Sequence, residues 1–299
     1  MTLLLYPNGE FSLGLSTPVK SHKPPEPSSS RERSGKPQTT YSKKMVRNCV
    51  HRLERLYGRR NLAFATYTLP DLNEAEMELL ATNWGEVTRQ LMQAIGRDQN
   101  RMGIVAEQVY VNEIQESRYK ESGAIALHIH VVFQSRKTVN ESYAISLKRN
   151  TQIWNRVVSN VLGRDIEIPF GARIEQVKKS AERYMSKYMS KGSSLAQKVA
   201  DEGKKHLLPK QWWGATLTLR RWVKENTRLL SDDAKEFIRE NYRNFLDNLK
   251  ESPFSWLYVH VVTLLEPHGE EVEIPVAIVG KIRTAWLDAF ECKNLSISW

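Results

Sequence analysis

Cysteine is nearly absent from this 299-residue chain: Cys49 and Cys292 are far apart and fit no metal or disulfide spacing. That excludes a disulfide scaffold and a cysteine zinc site, and reduced thiols fit a cytoplasmic protein. Long apolar runs are also missing. The longest, WLYVHVVTLLEP at 256–267, is shorter than the roughly 20 residues that span a bilayer and is interrupted by His260. It reads as a buried strand, and no membrane partner is expected. The start, MTLLLYPNGE, lacks the basic and apolar regions of a secretory signal. No G-x-x-x-x-G-K-[ST] loop occurs, so no nucleotide-driven motor is expected.

Positive charge, by contrast, is plentiful. Lys and Arg number 44 against 34 Asp and Glu, a net +10 with a pI near 9.5. Such a balance favours an anionic partner, nucleic acid ahead of a membrane surface. The excess is local: residues 178–224 hold 12 basic and 3 acidic side chains, while 70–121 hold 5 and 10. Residues 1–60 are basic as well, with 12 against 4. Within them, PVKSHKPPEPSSSRERSGKPQTT (18–40) is too poor in apolar residues to pack. Residues 1–40 therefore read as a disordered basic arm, able to track duplex phosphate or to act as a linker.

Apolar periodicity predicts a helix over 41–57 on Met45, Cys49, Leu53 and Leu56, stopped by Gly58. A strand follows at 61–69, then a helix over 74–95 capped by Asn73. Strands at 104–116 and 124–134, joined by the short polar turn SRYKESG, must be antiparallel. Further elements are a helix at 140–162, a strand at 165–177 broken at Pro169, and a helix at 178–191 with Gly192 as its cap. Helices at 217–228 and 232–250, a strand at 256–264 and an extended-then-helical end complete the chain. The fold class is α+β, a central antiparallel sheet flanked by helices over 41–229, with a mixed C-terminal extension at 230–299.

Two motifs carry chemistry. In ALHIHVVF, His128 and His130 are two apart and share one face of a strand. Glu113 and Gln115, also two apart, share a face of the partner strand. With the turn centred on 120–123, Gln115 lies opposite His128 and Glu113 opposite His130; any even shift keeps all four together. Two imidazoles and an oxygen donor suit Mg²⁺ or Mn²⁺; the bland alternative is a hydrogen-bonded histidine pair at a sheet edge.

The second motif is AERYMSKYMSKG (181–192), in which Tyr-Met-Ser-Lys occurs twice. Tyr184 and Tyr188 share a helix face, and Lys187 and Lys191 form the next stripe. The plain reading is a core-facing edge with snorkelling amines. The chemical reading is a pair of tyrosine nucleophiles, each with a lysine to stabilise the developing anion. Lys178, Lys179 and Arg183 add phosphate-binding charge, and Trp212 and Trp213 offer rings for unpaired bases.

Together these pieces resemble the HUH endonucleases, specifically the two-tyrosine replication initiators of small circular single-stranded DNA phages and related rolling-circle plasmids. FATYTLP (64–70), E-x-Q at 113–115, H-x-H at 128–130, Y-x-x-K-Y-x-x-K at 184–191 and Trp213-Gly214 follow the family's order. The resemblance covers residues 60–215. It implies metal ligation by His128 and His130, with Glu113 or Gln115 as third ligand. It also implies alternating attack by Tyr184 and Tyr188, assisted by Lys187 and Lys191. The expected activity is metal-dependent nicking and strand transfer of single-stranded DNA through a 5′-phosphotyrosine, initiating rolling-circle replication at an origin duplex. A host helicase is an expected partner, because the chain has none. A transposase of the same class and a non-enzymatic basic nucleic-acid-binding protein are the alternatives.

Overall fold

The computed structural model describes residues 4–14, 40–138, 140, 146–178, 180–265 and 271–287. In chain order the strands and helices are β1 (Leu4–Leu5), β2 (Glu10–Gly14), α1 (Thr40–Tyr57), β3 (Leu62–Thr68), α2 (Glu74–Thr82), α3 (Trp84–Arg101) and β4 (Gln108–Ile114). Then come α4 (Glu116–Ser122), β5 (Leu127–Gln134), α5 (Leu147–Leu162), β6 (Ala172–Gln176) and α6 (Ala181–Asp201). The last are β7 (Trp213–Ala215), α7 (Leu217–Glu225), β8 (Arg228–Leu229), α8 (Asp232–Asp247), β9 (Phe254–Leu265) and β10 (Glu271–Ile282). The fold is α+β with two antiparallel five-stranded sheets. Among the described residues no helix is long and apolar enough to cross a membrane.

The chain divides into two compact units, Glu32–Arg221 and the combination of Met1–Arg31 with Trp222–Trp299. In the first, the sheet order is β6-β3-β5-β4-β7, so the histidine strand β5 is central and not at an edge. Alternation along the strands sorts its two faces. Ala63, Ala65, Tyr67, Ile129, Val131 and Phe133 point one way, into a core with Trp84, Leu91, Ile95, Trp154 and Val157 from α3 and α5. Phe64, Thr66, Val109, Val111, Glu113, His128, His130 and Val132 point the other way, toward α1 and α6.

Local chemistry explains several element ends. Asn73 and Glu76 form the reciprocal capping box that starts α2. The helix predicted over 74–95 is two helices, because the chain turns at Asn83 to bury Trp84. The polar segment read as a turn is the helix α4, ended by Gly123 at φ 71. Its partner strands are correspondingly shorter than predicted. Only 172–176 of the strand expected at 165–177 is extended. Gly192 does not cap α6, which continues to Asp201 because Ala196 and Val199 carry its buried stripe onward. β7 lies beside β4 with Gly214 opposite Tyr110, and a Cβ there would fall 2.4 Å from the tyrosine ring.

The second unit joins both ends of the chain in a sheet of order β8-β1-β2-β10-β9. Its core combines Leu5, Phe11 and Leu13 with Ile238 and Phe245 of α8 and with Phe254 and Ile278. Two expectations are corrected here. Residues 4–14 are paired strands and not part of a disordered arm, because Phe11 and Leu13 supply apolar faces to pack. The C-terminal extension is accordingly completed by the N-terminal strands. Residues 15–39 lie outside the described residues.

Candidate metal centre and nucleophile cleft

Glu113, His128 and His130 gather their ligand atoms within 4.8 Å of one another, on adjacent strands of one sheet face. The register differs from the expected one by two residues: Glu113 pairs with His128 and Val111 with His130. The α4 helix takes up chain that a tight turn would have placed in the ladder. An even shift preserves the face, and the side chains meet diagonally. His130 Nε2 lies 2.8 Å from Glu113 Oε2, and His128 Nε2 lies 3.0 Å from Gln115 Oε1. Gln115 thus presents its amide oxygen to His128, beside the cluster of Glu113, His128 and His130.

The donor set fits a divalent cation. Burial, then the neighbouring His130 and Arg118, holds His128 down to about pKa 3, so its imidazole is neutral and able to ligate. His130 Nδ1 is 3.1 Å from Thr66 Oγ1, a contact that orients the ring with Nε2 toward Glu113. One carboxylate and two imidazoles leave coordination positions open for substrate oxygens.

The α6 helix lies across this face. Ala181, Met185 and Met189 form its buried stripe, which turns Tyr184 and Tyr188 to the edge, toward the histidines. Ser180 caps it, and the Glu54 carboxylate of α1 accepts the Ala181 N–H at 2.7 Å. The Tyr188 ring stacks on His130 at a centroid distance of 3.6 Å. Phe64 braces both tyrosines, edge-on to Tyr184 at 4.6 Å and stacked with Tyr188 at 5.8 Å. The Tyr188 phenol is raised above its ordinary pKa by burial first, then by its hydrogen bond to Tyr184 and by the charges of Tyr184, Glu113 and Glu175. Tyr184 is exposed.

A cleft of about 360 Å³ opens here, lined by Glu113, both histidines and both tyrosines, with Phe64, Thr66, Thr68, Phe170, Arg173 and Glu175. Phe170, Arg173, Glu175 and Thr66 were not singled out from the sequence. Thr66 and Phe64 were legible in principle, two apart in FATYTLP and so on one face. Arg173 and Glu175 come from β6, whose pairing with β3 no short motif announces.

Other expected site residues separate. Lys187 and Arg183 are exposed on α6 and do not line the cleft. Lys178 is exposed beside it, lining an adjoining pocket with Phe64 and Tyr184. The side chains of Lys179 and Lys191 lie outside the described residues. Trp212 is buried in the core, because Asn112 binds the Gln211 carbonyl and the Trp212 carbonyl and draws that segment onto β4. It is not available to stack on bases; Trp213 is half-buried. No protein family, curated protein or solved structure matches this chain.

Proposed function

We propose that this protein is a metal-dependent single-stranded DNA nickase and strand transferase of the HUH kind, with an HUH-like central sheet, and that it initiates rolling-circle replication. One observation carries the reading: the tyrosine helix lays Tyr184 and Tyr188 over the Glu113–His128–His130 cluster, with the Tyr188 ring against His130. A packing role for the tyrosines does not require this neighbourhood, since Met185 and Met189 already bury α6.

Glu113, His128 and His130 would hold Mg²⁺ or Mn²⁺, which when bound supplies Lewis-acid polarisation of a phosphodiester. The phenolic oxygen of one tyrosine forms a bond to phosphorus as the bond from phosphorus to the 3′-oxygen breaks. Its proton passes to solvent, and the departing oxygen takes one up as a free 3′-hydroxyl. The second phenol, one helical turn away, serves a second transfer without release of the DNA. Arg173 at the cleft and Lys178 beside it orient the anionic strand. Origin duplex and a host helicase are the partners this activity needs.

The test is a covalent-adduct assay on single-stranded DNA carrying the replicon's origin, with Mn²⁺ or with EDTA, for the native chain, Tyr184→Phe, Tyr188→Phe and the double variant. A metal-dependent, SDS-stable adduct that the double variant lacks is the expected result. Absence of adduct from the native chain overturns the nuclease reading in favour of a non-enzymatic binding protein.

A further inference from the structure

On the opposite face of the same sheet, α3 and α5 pack side by side and leave a cavity of about 310 Å³ between their outer surfaces. The helices run antiparallel: Asp98 meets Arg149 near one end, and Gln90 meets Asn160 at the other. Four arginines line the trough, Arg97 and Arg101 from α3 and Arg149 and Arg156 from α5. Arg97 and Arg101, four apart, lie about 6 Å from each other along α3; Arg149 and Arg156, seven apart, lie about 10 Å from each other along α5.

Among the described residues Asp98 is the one carboxylate in the lining. It is buried and binds Arg149 through two hydrogen bonds and Arg101 at 3.1 Å. That arrangement pins the trough's floor but leaves three positive charges in excess among its described lining residues. Like charges so grouped repel, and a polyanion relieves the repulsion. The remaining polar lining, Gln90, Gln93 and Asn160, offers amide donors to phosphate oxygens.

We propose that this α3–α5 trough is a second nucleic-acid contact, binding the sugar–phosphate backbone of duplex DNA. Among the described residues its lining contains no aromatic side chain on which an unpaired base could stack, which separates it from a single-strand channel. A duplex keeps its bases internally stacked and presents two phosphate rows, matching arginines on both walls. Such contacts fix position and carry no sequence information. Only the choice of DNA as the polyanion rests on the function proposed above; the trough shares no residue with the histidine cleft.

The experiment measures duplex affinity by fluorescence anisotropy over a salt series, using the full chain with both tyrosines changed to Phe, in EDTA, so that no cleavage intervenes. Arg97→Gln with Arg156→Gln should weaken binding of a short blunt duplex about tenfold and reduce the salt slope by about 2. Arg97→Lys with Arg156→Lys should retain most of that slope, separating charge loss from misfolding. Unchanged duplex affinity and slope in the glutamine variant would overturn the proposal. So would an equal loss for a single strand of the same length, or full competition by millimolar inorganic phosphate, which would reassign the trough to small anions. The same glutamine changes in the tyrosine-intact chain should leave adduct formation intact. Duplex binding that depends on these arginines without any adduct would sustain the trough and sink the nuclease.

Discussion

The Tyr188 ring and the His130 imidazole are stacked at 3.6 Å, although they come from a helix and from the central strand of a sheet. The contact sets the phenol beside the candidate metal ligands and makes Tyr188 inner and Tyr184 outer. Tyr184 is the more exposed of the two, and its hydroxyl reaches back to Tyr188. This asymmetry gives the two phenols different expected roles.

Tyr188→Phe should reduce first-strand nicking by at least about 100-fold, since a positioned nucleophile has no substitute at its own site. Tyr184→Phe should retain nicking and lose the second transfer. Single-turnover assays on an origin oligonucleotide, followed by addition of an acceptor strand, resolve the two steps. Equal nicking by both variants would show that the phenols are interchangeable.

Cation binding should stabilise the fold, because the cluster is assembled only in the native state. At a Mn²⁺ concentration 100 times Kd the expected gain is about 2.7 kcal/mol. His128→Ala or His130→Ala should remove it. Thermal unfolding with and without EDTA measures the gain, and a midpoint insensitive to Mn²⁺ would speak against the site.

Thr66 touches His130 Nδ1 and is expected to act by positioning that ring. Thr66→Val should lower Mn²⁺ affinity about 10- to 100-fold, and Thr66→Ser should restore most of it. Calorimetric titration reads both. A purely structural threonine would change the thermal midpoint and leave affinity alone.

Acid should weaken the first unit through Asp98, whose carboxyl the hydrogen bonds from Arg149 hold below its ordinary 3.8. The folded form keeps this proton off at pH values where the unfolded chain binds it. The contribution is therefore complete above about pH 5 and is lost as pH falls through 3.8 and below. Asp98→Asn should flatten that part of a stability–pH curve measured by denaturant titration.

Cys49 is fully buried and its thiol is pushed up to about 12, mainly by burial. In a Cys292→Ser variant the remaining thiol should resist a disulfide reagent at pH 8 until denaturant unfolds the chain. Rapid labelling of the native protein would contradict the packing of α1.

Much of the site could be read in the sequence because its spacings are periodic. H-x-H and E-x-Q declare a strand face, and a doubled Y-x-x-K declares a helix stripe. A two-residue error in register did no harm, since the pleat repeats every two residues. What stayed hidden depended on long-range pairing: Arg173 and Glu175 reach the cleft through β6 beside β3. Trp212 looked like a stacking platform because nothing local reveals that Asn112 draws its segment onto β4. The α4 helix was missed for a related reason. ESRYKES lacks an apolar stripe, and its burial rests on Tyr119. The N-terminal strands were masked by the polar stretch that follows them, while their partner β10 lies near the other end of the chain.

That pairing of the two ends imposes an order on biosynthesis. Glu32–Arg221 can complete its sheet as soon as its own residues have emerged. Residues 4–14 emerge earlier but must wait for Glu271–Ile282. At ribosomal speeds of roughly 5–20 residues per second the wait is on the order of ten to fifty seconds. During it Phe11 and Leu13 lack the strand that buries them, which makes this segment a candidate client for chaperones. Shortening the gene from its 3′ end would expose the same two side chains permanently.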